Sequence, residues 1–152
     1  MATIARFDPD SLRCVPLFAQ LTSVDLRRLA GLVCRVRLAA GATLAGDGPE
    51  DHALIIVVDG IAEVDRPGDG RAPGQVAEIG PGEHVGEELL LHEPGHAATV
   101  RAVTDVVIDQ IAAHDFRALL QASPELTLPM LAVLGERLAR ESGSSHATER
   151  VA

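Results

Sequence analysis

Two hydrophobic periods divide the chain. Near the start, Leu26, Leu29, Ala30 and Val33 recur three or four residues apart, the spacing of one helix face. Thr22 and Ser23 can cap that helix, and Asp25 suits its first turn. Upstream, Pro16 breaks a shorter helical stretch, "SLRCVPLFAQL". From Arg35 the pattern turns to short β-prone pieces: Val36, Leu38 and Leu44 flank a turn at Ala40-Gly41. Further apolar runs follow at Leu54–Val58, Ile61–Val64 and Val76–Ile79. Between them lie turns at Gly46–Pro49, Asp59-Gly60, Pro67–Gly74 and Gly80–Gly82. Asp59-Gly60 between two β runs is a strong tight-turn signal. After "ATVRAVTDVVIDQIA" the helical period returns, from Asp115 to Ala122 and from Pro124 to about Glu141.

This order predicts an α+β fold: an eight-stranded antiparallel β-roll, jelly-roll-like, flanked by N- and C-terminal helices. One short helix, Gly86–Leu91, is expected inside it. Residues 1–141 are expected to form one domain and the polar residues 142–152 a disordered tail. Neither repeats nor a linker are visible.

Composition narrows the function. With 152 residues, 47% hydrophobic and 23% charged, the chain can bury a core and is not a disordered tail. Its longest apolar run, Ala53–Val58, is too short to span a bilayer, and the N-terminus lacks the apolar segment of a secretory signal. A cytoplasmic location is expected. The net charge is −9 and every cation is arginine, a skew that marks a GC-rich bacterial genome. Without a basic cluster, Trp or Tyr, the chain lacks both phosphate neutralisation and base stacking, so no nucleic-acid partner is expected. Cys14 and Cys34 have no metal-binding spacing; two buried or half-buried thiols are expected in preference to a disulfide.

The densest chemistry lies in "GEELLLHEPGHAATVRA", preceded by Glu83 and His84. A cupin-like metalloenzyme would need an H-x-H pair, but His84 is followed two residues later by Gly86. His92 and His96 are four apart with Pro94-Gly95 between them, so they do not share a helix face. Surface histidines in a loop are the simpler account. No Gly-x-Ser-x-Gly is present, and neither cysteine has a His/acid neighbourhood, so nothing demands an enzyme. The remaining readings are an anion cradle and a plain cap. Gly86-Glu87 can start a short helix whose amides at Glu88 and Leu89 face an anion. The same pair can equally cap a surface turn.

From Pro16 to about Leu138, about four fifths of the chain, the sequence resembles a cyclic-nucleotide-binding domain of the catabolite-activator type. The pieces that carry the likeness are "PLFAQLTSVDLRRLA", "LAAGATLAGDGPEDHALIIVVDGIAEV" with Gly60, "GPGEHVGEELLLHEPGHAATVRA" and "DFRALLQASPELTLPMLAVLGERLAR". The resemblance implies a cyclic AMP or cyclic GMP ligand. Glu87, after Gly86, would take the ribose 2′-hydroxyl; the amides of Glu88 and Leu89 and the small residues Ala97 and Ala98 would meet the phosphate. Val64 and Val76 would touch the ribose or base.

One position departs from that pattern. Where the family carries an arginine before the small residues, this chain has His96. Imidazole is shorter and cannot fork onto two oxygens, so the loss should be roughly 2–4 kcal/mol. Glu88, where apolar residues are common in the family, adds like charge. No effector domain is expected, because the chain ends soon after Arg140. The expected function is therefore a non-catalytic regulatory or interaction module with a weakened ligand site. The alternative is a functional cyclic-nucleotide sensor subunit acting on a partner protein. A homodimer is expected through the closing helix, where Leu126, Met130, Leu131, Leu134 and Leu138 fall near one stripe interrupted by Pro129.

Overall fold

The structure is a computed structural model, which describes residues 7–45, 52–65, 76–90 and 99–146. The turns expected at Gly46–Pro49 and Pro67–Gly74 lie outside the described residues. So do Leu91, His92, His96, Ala97 and Ala98.

Short 3₁₀ turns at Pro9–Cys14 and Pro16–Phe18 precede helix α1, Ser23–Ala30. Pro16 opens the second turn, where its missing N–H costs nothing. Thr22 is the N-cap of α1, its hydroxyl accepting from the Asp25 amide at 3.2 Å.

Eight strands follow: β1 Cys34–Leu38, β2 Thr43–Ala45, β3 Ala53–Asp59, β4 Ala62–Asp65, β5 Ala77–Ile79, β6 His84–Val85, β7 Thr99–Ala102 and β8 Val106–Ala112. They form two four-stranded antiparallel sheets, ordered β1-β8-β3-β6 and β2-β7-β4-β5. The fold is the α+β roll that the alternation predicts. Gly60, with φ of 90°, turns β3 into β4; a Cβ there would run into the Asp105 carbonyl oxygen. The Thr104 hydroxyl accepts from the Ile61 amide at 3.0 Å and closes the same corner.

Two cores result from the period-two alternation of side chains. Ile55, Val57, Val85, Val106 and Ile108 of one sheet meet Ala62, Val64, Ile79, Val100 and Ala102 of the other inside the roll. The opposite face of the first sheet carries Leu54, Ile56 and Ile111 into a second core built with the helices. There Phe18 and Phe116 are fully buried, their ring centroids 6.0 Å apart. Asp109, also buried, is held bidentately by Arg35 at 2.8 and 3.0 Å.

Helix α2 spans Ala113–Ala122, and a 3₁₀ turn at Pro124–Leu126 leads into helix α3, Thr127–His146. Pro129 falls in the first turn of α3, where amides lack intrahelical partners, so it does not break the helix. Three expectations need correction. Helix α3 runs past Glu141 to His146, because Ser-Gly-Ser-Ser holds no proline and propensity alone is a weak stop. The apolar stripe also divides: Leu126 and Met130 are buried and Leu134 packs beside them, whereas Leu131 and Leu138 are exposed with Leu128. Finally, Cys14 and Cys34 are free but exposed. No single helix among the described residues is long and apolar enough to cross a membrane.

Candidate functional site

Gly86 joins β6 to the 3₁₀ turn Glu87–Leu90, the short helix expected inside the roll, here one residue shorter at its start. Its φ is 91°, and a Cβ would strike the Ala53 carbonyl oxygen at the start of β3. Only glycine satisfies both demands, which fixes where the turn begins. Leu90 anchors the other end, fully buried in the helix-facing core that contains Phe116.

This frame aims Glu87 at the helical layer. His84 lies opposite Ile56 in the ladder, hence on the helix-facing side of its sheet. Its Nε2 is 3.0 Å from Glu87 Oε2, and Arg137 Nη2 of α3 donates to Glu87 Oε1 at 2.9 Å. The Glu87 side chain is 11% exposed, against 24% for His84 and 39% for Arg137. Burial alone would raise the Glu87 carboxyl, but the hydrogen bonds and charges of His84 and Arg137 outweigh it and hold the group below its ordinary range. Glu87 is therefore an ionised, nearly enclosed acceptor with a donor on each oxygen.

The other expected site residues are distributed by strand register. Val64 faces the roll interior, buried. Its partner across the ladder is Ala77, so the adjacent Val76 turns to the opposite face. There Val76 lines a shallow hollow of about 190 Å³ with Glu63, Asp65, Thr99 and Arg101. Val64 and Val76 therefore do not share a wall. Glu88 and Leu89 continue the turn after Glu87. A larger open hollow of about 350 Å³, lined in part by Arg37, Asp59, Asp105 and Val107, sits at the far end of β3 from Gly86. Among the described residues no three His, Cys, Asp or Glu side chains converge on one point.

No sequence signal points to Arg137 as a partner of Glu87. It lies fifty positions away on another element, and no local spacing links the two. His84 carried a usable signal, standing three positions before Glu87.

Comparison with known proteins assigns the class. The family model described as cyclic nucleotide-binding domain matches residues 35–123. This chain belongs to that family. An NTE family protein of Mycobacterium tuberculosis is 31% identical over 92% of this chain and 23% of its own length. A cyclic nucleotide-gated potassium channel of Rhizobium etli is 30% identical, covering 74% of this chain and 30% of the channel. A cAMP-dependent protein kinase regulatory subunit of Colletotrichum orbiculare is 30% identical over 76% of this chain and 29% of that subunit. The chain thus spans between 23% and 30% of these relatives' lengths. Among solved structures, the N-terminal domain of a transcriptional regulator from Streptomyces coelicolor A3(2) superposes with a TM-score of 0.72 at 31% identity, covering 87% of this chain and 94% of that one. The catabolite activator protein of Thermus thermophilus gives a TM-score of 0.60 at 27% identity, over 88% and 63%.

Proposed function

We propose that this chain is a non-catalytic regulatory module whose cyclic-nucleotide site is weakened and whose effector is another protein in the cytoplasm. The observation that carries the reading is the state of Glu87. The acid at the family's ribose position has both oxygens already held, by Arg137 and His84. The sequence adds the second defect, since the family's phosphate-binding arginine is replaced by His96. A sugar hydroxyl must compete for Glu87, and the phosphate lacks a permanently charged, two-pronged partner. The exposed leucines of α3 offer a surface for self-association as a homodimer.

A functional sensor is the second reading, favoured by Gly86 and an ionised Glu87 both standing at the family's positions. Calorimetric titration of cyclic AMP and cyclic GMP into wild type and His96→Arg at pH 8 separates the two. A weakened site predicts weak or absent binding by wild type and at least about tenfold tighter binding by His96→Arg. Tight wild-type binding, unchanged by the substitution, establishes the sensor instead.

A further inference from the structure

The outer face of the β1-β8-β3-β6 sheet repeats one arrangement twice, with different results. In one row Arg35 of β1 stands opposite Asp109 of β8, and the two close on each other bidentately. Two residues along, Arg37 stands opposite Val107, and Val107 in turn stands opposite Asp59 of β3. Arg37 therefore has no acid beside it, and Asp59 lies two strands away, roughly 10 Å across the sheet. Both are exposed, and among the described residues neither side chain makes a hydrogen bond or ion pair. The helices do not cover this row. Ile56, in the row of Asp109, belongs to the core beneath them, whereas Val107 does not. Over Val107 stands the open hollow of about 350 Å³, whose walls include Arg37, Asp59 and Asp105. Asp105 is committed in part, one oxygen accepting from the Ala40 amide at 2.9 Å. At the same corner Gly60 abuts the Asp105 carbonyl, and Ile61 and Val103 form an apolar rim, 40% and 43% exposed. A backbone hydrogen bond of 2.9 Å ties those two together.

A guanidinium and a carboxylate held apart over an apolar floor complement the reverse charges on one face of an extended chain. Side chains two positions apart on such a chain are roughly 7 Å apart, and the arginine side chain is long enough to take up the difference. A second copy could match the two charges across a two-fold axis, but two facing hollows leave the space between them unfilled. The occupant that fits is a segment that enters the hollow. We propose that this hollow docks an extended segment of another protein carrying an acid and a base two positions apart. The acid meets Arg37, the base meets Asp59, and apolar residues two positions beyond the charges rest on Ile61 and Val103. Paired charges then select the partner and the apolar rim adds contact area. This rests on the reading that the effector is another protein, and it does not depend on whether a nucleotide binds.

The test follows backbone amide shifts of the isotope-labelled full chain by NMR at physiological salt. The probe is a peptide blocked at both ends, Val-Ser-Glu-Ser-Lys-Ser-Val, which is neutral overall and so is not drawn by the protein's net charge. Its all-Glu and all-Lys counterparts are titrated beside it. Shifts are expected to centre on Arg37, Asp59 and Val107. Arg37→Gln and Asp59→Asn should each weaken binding about threefold to fivefold, the worth of one partly exposed ion pair, with the remaining amides unmoved. Both single-sign peptides should be weaker by a similar factor. Equal binding by a single-sign peptide, or by both variants, overturns the two-charge reading. Shifts at these amides with protein concentration alone assign the hollow to a second copy and overturn the proposal. Absence of any shift, or shifts confined to α3 or the turn after Gly86, overturns this docking site and leaves the effector to act at another surface.

Discussion

Arg137 and Glu87 meet at 2.9 Å across fifty residues of chain, joining the closing helix to the turn after β6. Burial disfavours the charged carboxylate, and the His84 hydrogen bond together with the Arg137 contact outweighs it. The folded carboxyl lies below the ordinary glutamate value of 4.5. A depressed acid stabilises the fold above its unfolded pKa, and that contribution is lost as pH falls through the lower, folded value. Wild type should therefore be more stable than Glu87→Gln at pH 6, and the gap should close below pH 4.5. Urea denaturation of both proteins at several pH values between 6 and 3 reads this directly. A gap independent of pH would show that Glu87 stabilises through packing alone.

Gly86 combines a φ of 91° with a backbone carbonyl in the place of its Cβ. Substitution by alanine forces a left-handed residue and displaces either the turn or the start of β3. The strain is about 1–2 kcal/mol and the steric term is of similar size, so Gly86→Ala should cost roughly 3 kcal/mol. For a domain of this size that lowers Tm by roughly 6–12 °C in a calorimetric scan. Gly41, also at positive φ but with open space around it, serves as the control. Gly41→Ala should pay the strain alone.

Asp109 is 5% exposed, whereas the Arg35 side chain that holds it is 38% exposed. Removing the arginine strands a buried carboxylate, and removing both charges does not. Since water reaches Arg35, the usual penalty is discounted: Arg35→Ala should cost about 1–3 kcal/mol. Arg35→Ala/Asp109→Leu should recover most of it. Chemical denaturation of the singles and the double gives the coupling. A double variant less stable than Arg35→Ala would mean that Asp109 stabilises the fold without its arginine, and the stranded-charge account would fail.

Helix α3 presents two apolar faces with different duties. Met130 is 2% exposed and Leu138 is 63% exposed. Met130→Ala should cost about 2–5 kcal/mol, and Leu138→Gln within about 0.5 kcal/mol in the monomer. If the outer leucines join two copies, Leu131→Gln/Leu138→Gln should abolish the dimer without altering the monomer's fold. Light scattering across micromolar concentrations, with circular dichroism as the fold check, decides between these outcomes. A wild-type particle of monomer mass throughout that range rejects self-association through α3.

The order of elements was legible because its signals are local. Thr22 caps α1 through an amide three residues on, and Asp59-Gly60 makes its turn within one peptide unit. The unbroken apolar run Leu54–Val58 announced β3, the run Ile61–Val64 announced β4, and Gly86 marked the start of the short turn after β6. What remained hidden depends on which layer each face meets. Val76 lies on the wrong face for the interior because the ladder pairs Val64 with Ala77, a register that no single strand encodes. The α3 stripe divides because Met130 reaches the core and Leu131, one residue on, points away from it. Arg137 finds Glu87 only once the helices have packed on the outer face of the β1-β8-β3-β6 sheet. Local pattern was enough for the strands and the described turns, and for singling out Glu87 after Gly86. Tertiary packing decided what that acid holds, because a contact between distant elements is set by the docking of whole faces and leaves no periodic trace in either segment.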